Sequence, residues 1–266
     1  MADAPPFNWG TRTYVMGILN ATPDSFSGDG VMGRPDELAQ RARAFEESGA
    51  DVLDIGGEST RPGHLPVTLE EEIARVVPAL RAVRAATTIP ISIDTRKPAV
   101  AAAAIAEGAT MVNDVSGLAD QLMRAVVARE GVWVVVVDGS SARGPRVADV
   151  VRARLQDRVD AAVAAGVARD RILVDPGLGF GKDWRANLTL LNDLPSLRAT
   201  GRPILVGPSR KGTIGKVLGV GVSDRLAGTA ALVAVSIAHG ADMVRVHDVG
   251  EMSQVARMMD ALVRAG

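Results

Sequence analysis

A single α/β domain folded as a (β/α)8 barrel is what this sequence predicts, and three observations predict it. Short apolar, β-branched runs alternate with longer Ala- and Arg-rich stretches of helical spacing, the pattern of strands and helices around a parallel sheet. Eight such runs occur, as a closed eightfold TIM barrel requires. Several are entered through one repeated phrase: Gly49-Ala50-Asp51-Val52, Gly108-Ala109-Thr110-Met111 and Gly240-Ala241-Asp242-Met243. Glycine there supplies a left-handed helix cap and marks a recurring helix-to-strand half-unit. The rival architecture, an open doubly wound sheet, carries a Gly-x-Gly-x-x-Gly turn after its first strand, whereas Asn20-Ala21-Thr22-Pro23-Asp24 stands here.

In order, strands are expected at 14–19, 52–55, 91–94, 111–113, 133–137, 172–175, 204–207 and 243–246. Barrel chemistry sits at the carboxyl ends of strands, and nearly all of these runs end in a polar residue. The first closes at Asn20. The second carries Asp54 and runs into Glu58-Ser59-Thr60-Arg61, the third ends at Asp94, and the fourth at Asn113-Asp114. The sixth ends at Asp175, the seventh leads into Ser209-Arg210-Lys211, and the eighth carries Arg245 and His247. One Asp at such a place is usually a turn or cap residue. Burying a carboxylate without partners is costly, however, so Asp54, Asp94, Asn113 and Asp175 at one mouth imply a polar ligand or a dense hydrogen-bond network.

A lone His near a strand end is most often structural. His247 comes with Arg245 and with a helix expected to start near Glu251, whose first N–H groups are free, and together these make a phosphate site. Of thirty basic residues only Lys97, Lys182, Lys211 and Lys216 are lysines. Lys211, at a strand end, is a place for a compact three-donor ammonium; Lys97 and Lys216 read equally well as solvated surface charges. Segments 20–33 and 59–66, rich in Gly, Pro, Ser and Asp, follow the first two strands and read as lids or as long turns.

Bulk properties narrow the function classes. A chain of 266 residues, 47% hydrophobic, buries a full core as one domain, here spanning 1–266 with residues 1–11 as an N-terminal extension. Its net charge of -1 offers no basic stripe, so nucleic acid is not expected as a partner. With no cysteine, disulfides, thiolate metal sites and cysteine nucleophiles are excluded. No apolar run approaches a membrane span and no basic-then-apolar leader opens the chain, so a soluble cytoplasmic protein is expected.

Seven blocks can now be read together: Met16-Gly17-Ile18-Leu19-Asn20-Ala21-Thr22-Pro23-Asp24-Ser25-Phe26-Ser27, Asp54-Ile55-Gly56-Gly57-Glu58-Ser59-Thr60-Arg61-Pro62-Gly63, Ile93-Asp94-Thr95, Val112-Asn113-Asp114-Val115-Ser116-Gly117, Asp175-Pro176-Gly177-Leu178-Gly179-Phe180-Gly181-Lys182, Gly207-Pro208-Ser209-Arg210-Lys211 and Arg245-Val246-His247-Asp248-Val249. In this order and spacing they resemble the dihydropteroate synthase family from about residue 12 onward. The resemblance implies condensation of a pterin pyrophosphate with p-aminobenzoate, releasing pyrophosphate by a dissociative substitution. It implies a pterin held by Asp94, Asn113, Asp175 and Lys211. It implies a Mg2+ cofactor on the diphosphate, ligated by Asn20, with Asn20, Thr60, Arg61, Arg245 and His247 holding the diphosphate. Thr60, Pro62, Phe180, Ser209 and Lys211 are then the edges of the p-aminobenzoate pocket, where sulfonamides bind in the family. Catalysis falls to Asp94, Lys211, Arg245, His247 and Asn20, the substrates are small molecules, and a homodimer is expected, with the Ala-rich helices near 227–238 and 252–262 apolar enough to support it.

Two departures stand out. The family's Phe-Ser-Asp-Gly-Gly loop reads Phe26-Ser27-Gly28-Asp29-Gly30 here, and its Met-His pair on the fifth strand is missing from Val134-Val135-Val136-Val137-Asp138-Gly139, which leaves Val137 or Asp138 to form part of that pocket wall. A catalytically impaired pterin-binding homologue is therefore an alternative. A methyltetrahydrofolate-dependent methyltransferase on the same barrel is another, though it needs neither Thr60-Arg61 nor Ser209-Arg210-Lys211.

Overall fold

The computed structural model of the protein describes residues 7–21, 35–58 and 65–264. Eight parallel strands run Tyr14–Asn20 (β1), Val52–Gly56 (β2), Ile91–Asp94 (β3), Met111–Asp114 (β4), Trp133–Val137 (β5), Ile172–Asp175 (β6), Leu205–Val206 (β7) and Met243–Val246 (β8), all within one residue of the expected ends. Helices follow them: Pro35–Glu47 (α1), Leu69–Ala86 (α2), Pro98–Ala106 (α3), Gln121–Glu130 (α4), Val147–Ala164 (α5) and Trp184–Asn192 (α6). Gly212–Leu218 (α7) and Leu226–Ala238 (α8) both follow β7, and Val249–Val263 (α9) follows β8.

The strand order is β6-β5-β4-β3-β2-β1-β8-β7. A single bridge, Val174 to Ile204, joins the two ends, where the Val174 N–H donates to the Pro203 carbonyl at 3.0 Å. β7 is shorter than expected because Pro203 and Pro208 bracket it and neither can donate to a ladder.

Alternation along each strand explains the continuous apolar runs, since both faces are buried. Val15, Leu53, Ile93, Val112, Val134 and Val174 pack outward against the helices, while Met16, Val52, Met111, Val135, Leu173 and Met243 fill the barrel. At the amino end Phe7 and Trp9 stack at 4.6 Å, and Phe7 meets Tyr14 and Trp133 edge-on at 5.0 and 5.1 Å. The extension thus plugs the barrel floor, and the polar inward positions are left to the opposite end.

Gly49, Gly108 and Gly240 take φ of +96°, +98° and +94°. The next residue in each case, Ala50, Ala109 or Ala241, donates its N–H to the carbonyl five residues back at 2.9–3.0 Å, which satisfies an orphan carbonyl at the helix end. Gly166 and Val167 repeat the motif, hidden in the sequence by the Val and by the short turn of Arg169–Arg171 before β6.

Candidate active site

Strand parity builds the site floor. The period of two that turns Met16, Val52, Met111 and Leu173 inward also turns Asp54, Asp94, Asn113, Asp175 and Arg245 inward, one or two steps nearer the carboxyl ends. The register puts Gly56 beside Asp94, Asp94 beside Asn113, and Val137 beside Asp175. Arg245 spans the middle: its Nε donates to Asp54 Oδ2 and its Nη2 to Asp94 Oδ2, each at 2.6 Å. Asn113 Nδ2 donates to the same Asp54 oxygen at 3.1 Å. Asp54 is fully buried, but the Arg245 and Asp94 side chains stay 18% and 11% exposed, so the floor is reached from the mouth. Among the described residues, Asp54 Oδ1 and Asn113 Oδ1 have no donor. Buried acceptors are rarely left so, and both call for a ligand that carries N–H groups.

Two carboxylates share one guanidinium here, and the electrostatics follow. Burial pushes Asp94 up to about 7; Arg245 opposes this, and the neighbouring Asp54 adds to it. Asp175 is also raised by burial, against the Gly177 N–H that its Oδ1 accepts at 2.7 Å. Burial and then Arg245 bring Lys211 down to about 8. For Arg245 the lowering by burial is outweighed by Asp54 and Asp94, so its pKa rises and its charge is locked in.

The walls come from the loops. Lys211 Nζ lies 4.5 Å from the Phe180 ring centroid, while Phe180 and Val115 pack on the inner core beside Val137. Ser209 Oγ lies 2.9 Å from His247 Nδ1 and accepts the His247 N–H at 3.1 Å, tying the β7 and β8 loops together. Arg210 turns away, at φ +53°, and pairs with Asp248 through Nε at 3.0 Å and through Nη2. The last helix starts at Val249, two residues before the expected Glu251, and Asp248 at its entry is taken by Arg210. Asn20 closes β1, half-buried at the same rim.

Asp54, Asp94, Asn113 and Arg245 are thus directly linked, Lys211 touches Phe180, and Ser209 touches His247. Thr60, Arg61 and Pro62, like both expected lids and the Gly28-Asp29 departure, lie outside the described residues. One expectation is corrected: Asp138 does not form the pocket wall. Val137 faces inward, so the next residue of an extended strand points the other way, and Asp138 is buried against Lys182.

Lys97 corrects another. It is no surface charge: its Nζ donates to Glu58 Oε2 at 2.7 Å, Glu72 Oε2 at 2.6 Å and the Val67 carbonyl at 2.7 Å, and Thr95 Oγ1 donates to the other Glu72 oxygen at 2.7 Å. Its rarity as a lysine was the available signal. Lys97→Met would take the ammonium from two carboxylates whose side chains are 8% and 1% exposed, leaving Glu58 to Arg96 at 3.2 Å and the more deeply buried Glu72 with only the Thr95 hydroxyl, at 2.7 Å, among the described residues. We expect a loss of about 3 kcal/mol and a fall in Tm of about 6–12 °C by thermal unfolding; a shift below about 2 °C would restore the surface reading.

The class these findings define is that of the pterin-binding barrel enzymes: the model of the family described as pterin binding enzyme matches residues 16–247. The chain is 43% identical to the dihydropteroate synthase of Synechocystis, over 97% of this chain and 93% of that one. It superposes with a TM-score of 0.91, at 44% identity, on the Clostridium difficile dihydropteroate synthase crystallised with pteroic acid, over 97% of this chain and 99% of that one. The Xanthomonas albilineans enzyme in complex with 7,8-dihydropteroate matches with a TM-score of 0.88 at 39% identity, over 94% of both chains. The chain belongs to the dihydropteroate synthase family.

Proposed function

We propose that this chain condenses 6-hydroxymethyl-7,8-dihydropterin pyrophosphate with p-aminobenzoate, yielding 7,8-dihydropteroate and pyrophosphate. The observation that carries the reading is Arg245 bridging Asp54 and Asp94 beside Asn113, a floor of acceptors under a cationic rim. Asp94, Asn113, Asp175 and Lys211 hold the pterin, whose amide and guanidine-like edge supplies the missing N–H donors. Arg245, His247 and Asn20, with Thr60 and Arg61, hold the diphosphate. Phe180, Ser209 and Lys211, with Thr60 and Pro62, bound the p-aminobenzoate pocket. As the diphosphate leaves, ionised Asp94 stabilises the positive charge left on the pterin methylene, and the held amine attacks it.

A metal fits this chemistry through the substrate. No group of three or more His, Cys, Asp or Glu among the described residues could hold an ion, and Asn20 stands half-buried at the carboxyl end of β1. A single amide oxygen suits Mg2+, which keeps waters and relies on phosphate oxygens. Bound there, Mg2+ would neutralise charge on the leaving diphosphate.

The test is an assay with both substrates and Mg2+. Equal amounts of dihydropteroate and pyrophosphate are expected, and chelation of Mg2+ should abolish them; pterin binding without either product would favour the impaired homologue instead. The pH profile is a second check. Catalysis needs Asp94 ionised and Lys211 charged, so kcat/KM should rise through about 7 and fall through about 8. Lys211→Arg should remove the falling limb, and a flat profile would contradict both roles. The sign for stability is opposite to that of a salt-bridged carboxylate. Between its ordinary value of 3.8 and about 7 the folded Asp94 keeps a proton that the unfolded chain has released, so its contribution to stability falls as pH rises through that window.

The supporting case for a homodimer is a set of exposed apolar side chains on three contacting helices: Val217 and Leu218 on α7, Leu226 and Val235 on α8, Met258 and Leu262 on α9. We read residues 1–266 as one domain, since Thr13 and Asp260, near its two ends, are bonded at 2.7 and 2.8 Å. No described helix is long and apolar enough to cross a membrane.

A further inference from the structure

Behind Phe180, two loop turns are pinned together by one buried cation. Lys182 Nζ lies within hydrogen-bond distance of four carbonyls: Asp138 at 2.7 Å and Ser140 at 3.1 Å in the turn after β5, Gly177 and Phe180 at 3.3 Å in the turn after β6. Its counter-charge is Asp138, with Oδ2 3.4 Å away, and neither side chain is exposed at all. Arg154 is the only other described cation paired with that carboxylate, at 3.7 Å. Converging carbonyls repel one another, and a three-donor ammonium relieves this where an apolar side chain cannot.

The turns also interlock through their backbones. Gly177, at φ +69°, packs so closely that a Cβ there would fall on the Asp138 carbonyl. Asn187 of α6 accepts the Gly179 N–H at 3.0 Å and donates to the Lys182 carbonyl at 3.2 Å and to Thr213 Oγ1 at 3.0 Å, which reaches α7 directly after Lys211. The turn so held presents the Phe180 ring under Lys211 Nζ.

We propose that the buried Asp138–Lys182 pair is the positioning element for Phe180, and thereby sets the affinity for p-aminobenzoate. The inference rests on the p-aminobenzoate pocket of the functional reading above. The segment 134–139 carries no Met-His pair, and Asp138 at its end is turned away from the pocket and buried against Lys182. Neither residue touches substrate; both act through the turn.

The test compares wild type, K182M and the double variant D138N/K182M. K182M leaves a buried carboxylate short of its partner and should lower Tm. The double variant should recover most of that loss, because no unpaired charge remains, yet still lack a donor for the four carbonyls. Amide exchange at 177–181 should therefore quicken about tenfold in both variants. KM for p-aminobenzoate should rise about tenfold in both, with kcat and the KM for the pterin substrate within about threefold of wild type. Should K182M fail to fold, the double variant carries the comparison. Unchanged exchange, an unchanged p-aminobenzoate KM, or a KM that recovers along with Tm overturns the proposal. A wild-type chain that makes no dihydropteroate overturns the functional reading and the link to p-aminobenzoate, while the exchange result still decides whether the pair anchors the turn.

Discussion

Arg245→Ala is expected to lower kcat by about 100- to 1000-fold while the barrel stays folded. The guanidinium serves two carboxylates from one point, Asp54 and Asp94, both at 2.6 Å. Without it Asp94, already raised to about 7, loses the strongest influence that lowers its pKa and takes up a proton near neutrality. On the proposed roles, a neutral Asp94 would no longer stabilise a cationic methylene, and the diphosphate would lose a fixed positive charge. That protonation relieves only the Asp94 side; buried Asp54 keeps Asn113 as a donor at 3.1 Å, so Tm should fall while the barrel is retained. Arg245→Lys should recover little, because an ammonium cannot present two directed N–H groups to separate carboxylates as a guanidinium does. The check is single-turnover kinetics alongside circular dichroism.

Lys211→Ala should lower kcat/KM by about 10- to 100-fold. Lys211 lies over Phe180, and its charge opposes the burial-raised pKa of both Asp94 and Asp175. On the proposed roles its loss would weaken the grip on the pterin and the wall of the p-aminobenzoate pocket together, so both KM values should rise. Rates near wild type in both Arg245→Ala and Lys211→Ala would mean that the site lies elsewhere on the barrel.

Most of the fold was legible because barrel strands advertise themselves twice. Two buried faces make each a short apolar run, and the Gly-Ala entry marks three of them. β7 was the loosest, since Pro203 and Pro208 cut its ladder in a way that composition does not reveal. The floor was legible because Asp54, Asp94, Asn113, Asp175 and Arg245 are polar residues at inward strand positions, where burial without purpose is costly. What escaped were contacts between loops distant in sequence. Lys182 gathers carbonyls from residues 138, 140, 177 and 180, and Lys97 draws in Glu58, Val67 and Glu72. No periodicity encodes such convergence. Parity was nonetheless available for Asp138: once Val137 faces inward, its neighbour cannot.

On the proposed function, one cavity binds a flat nitrogen heterocycle on its floor and a diphosphate nearer its mouth. A crystal structure of this chain with the pterin pyrophosphate bound tests it most directly. The ring's N–H edge should lie within hydrogen-bond distance of Asp94, Asn113 and Asp175, with the diphosphate against Arg245 and His247. A ligand seated away from the carboxyl ends of β3, β4 and β6, or a diphosphate out of reach of Arg245, would contradict it.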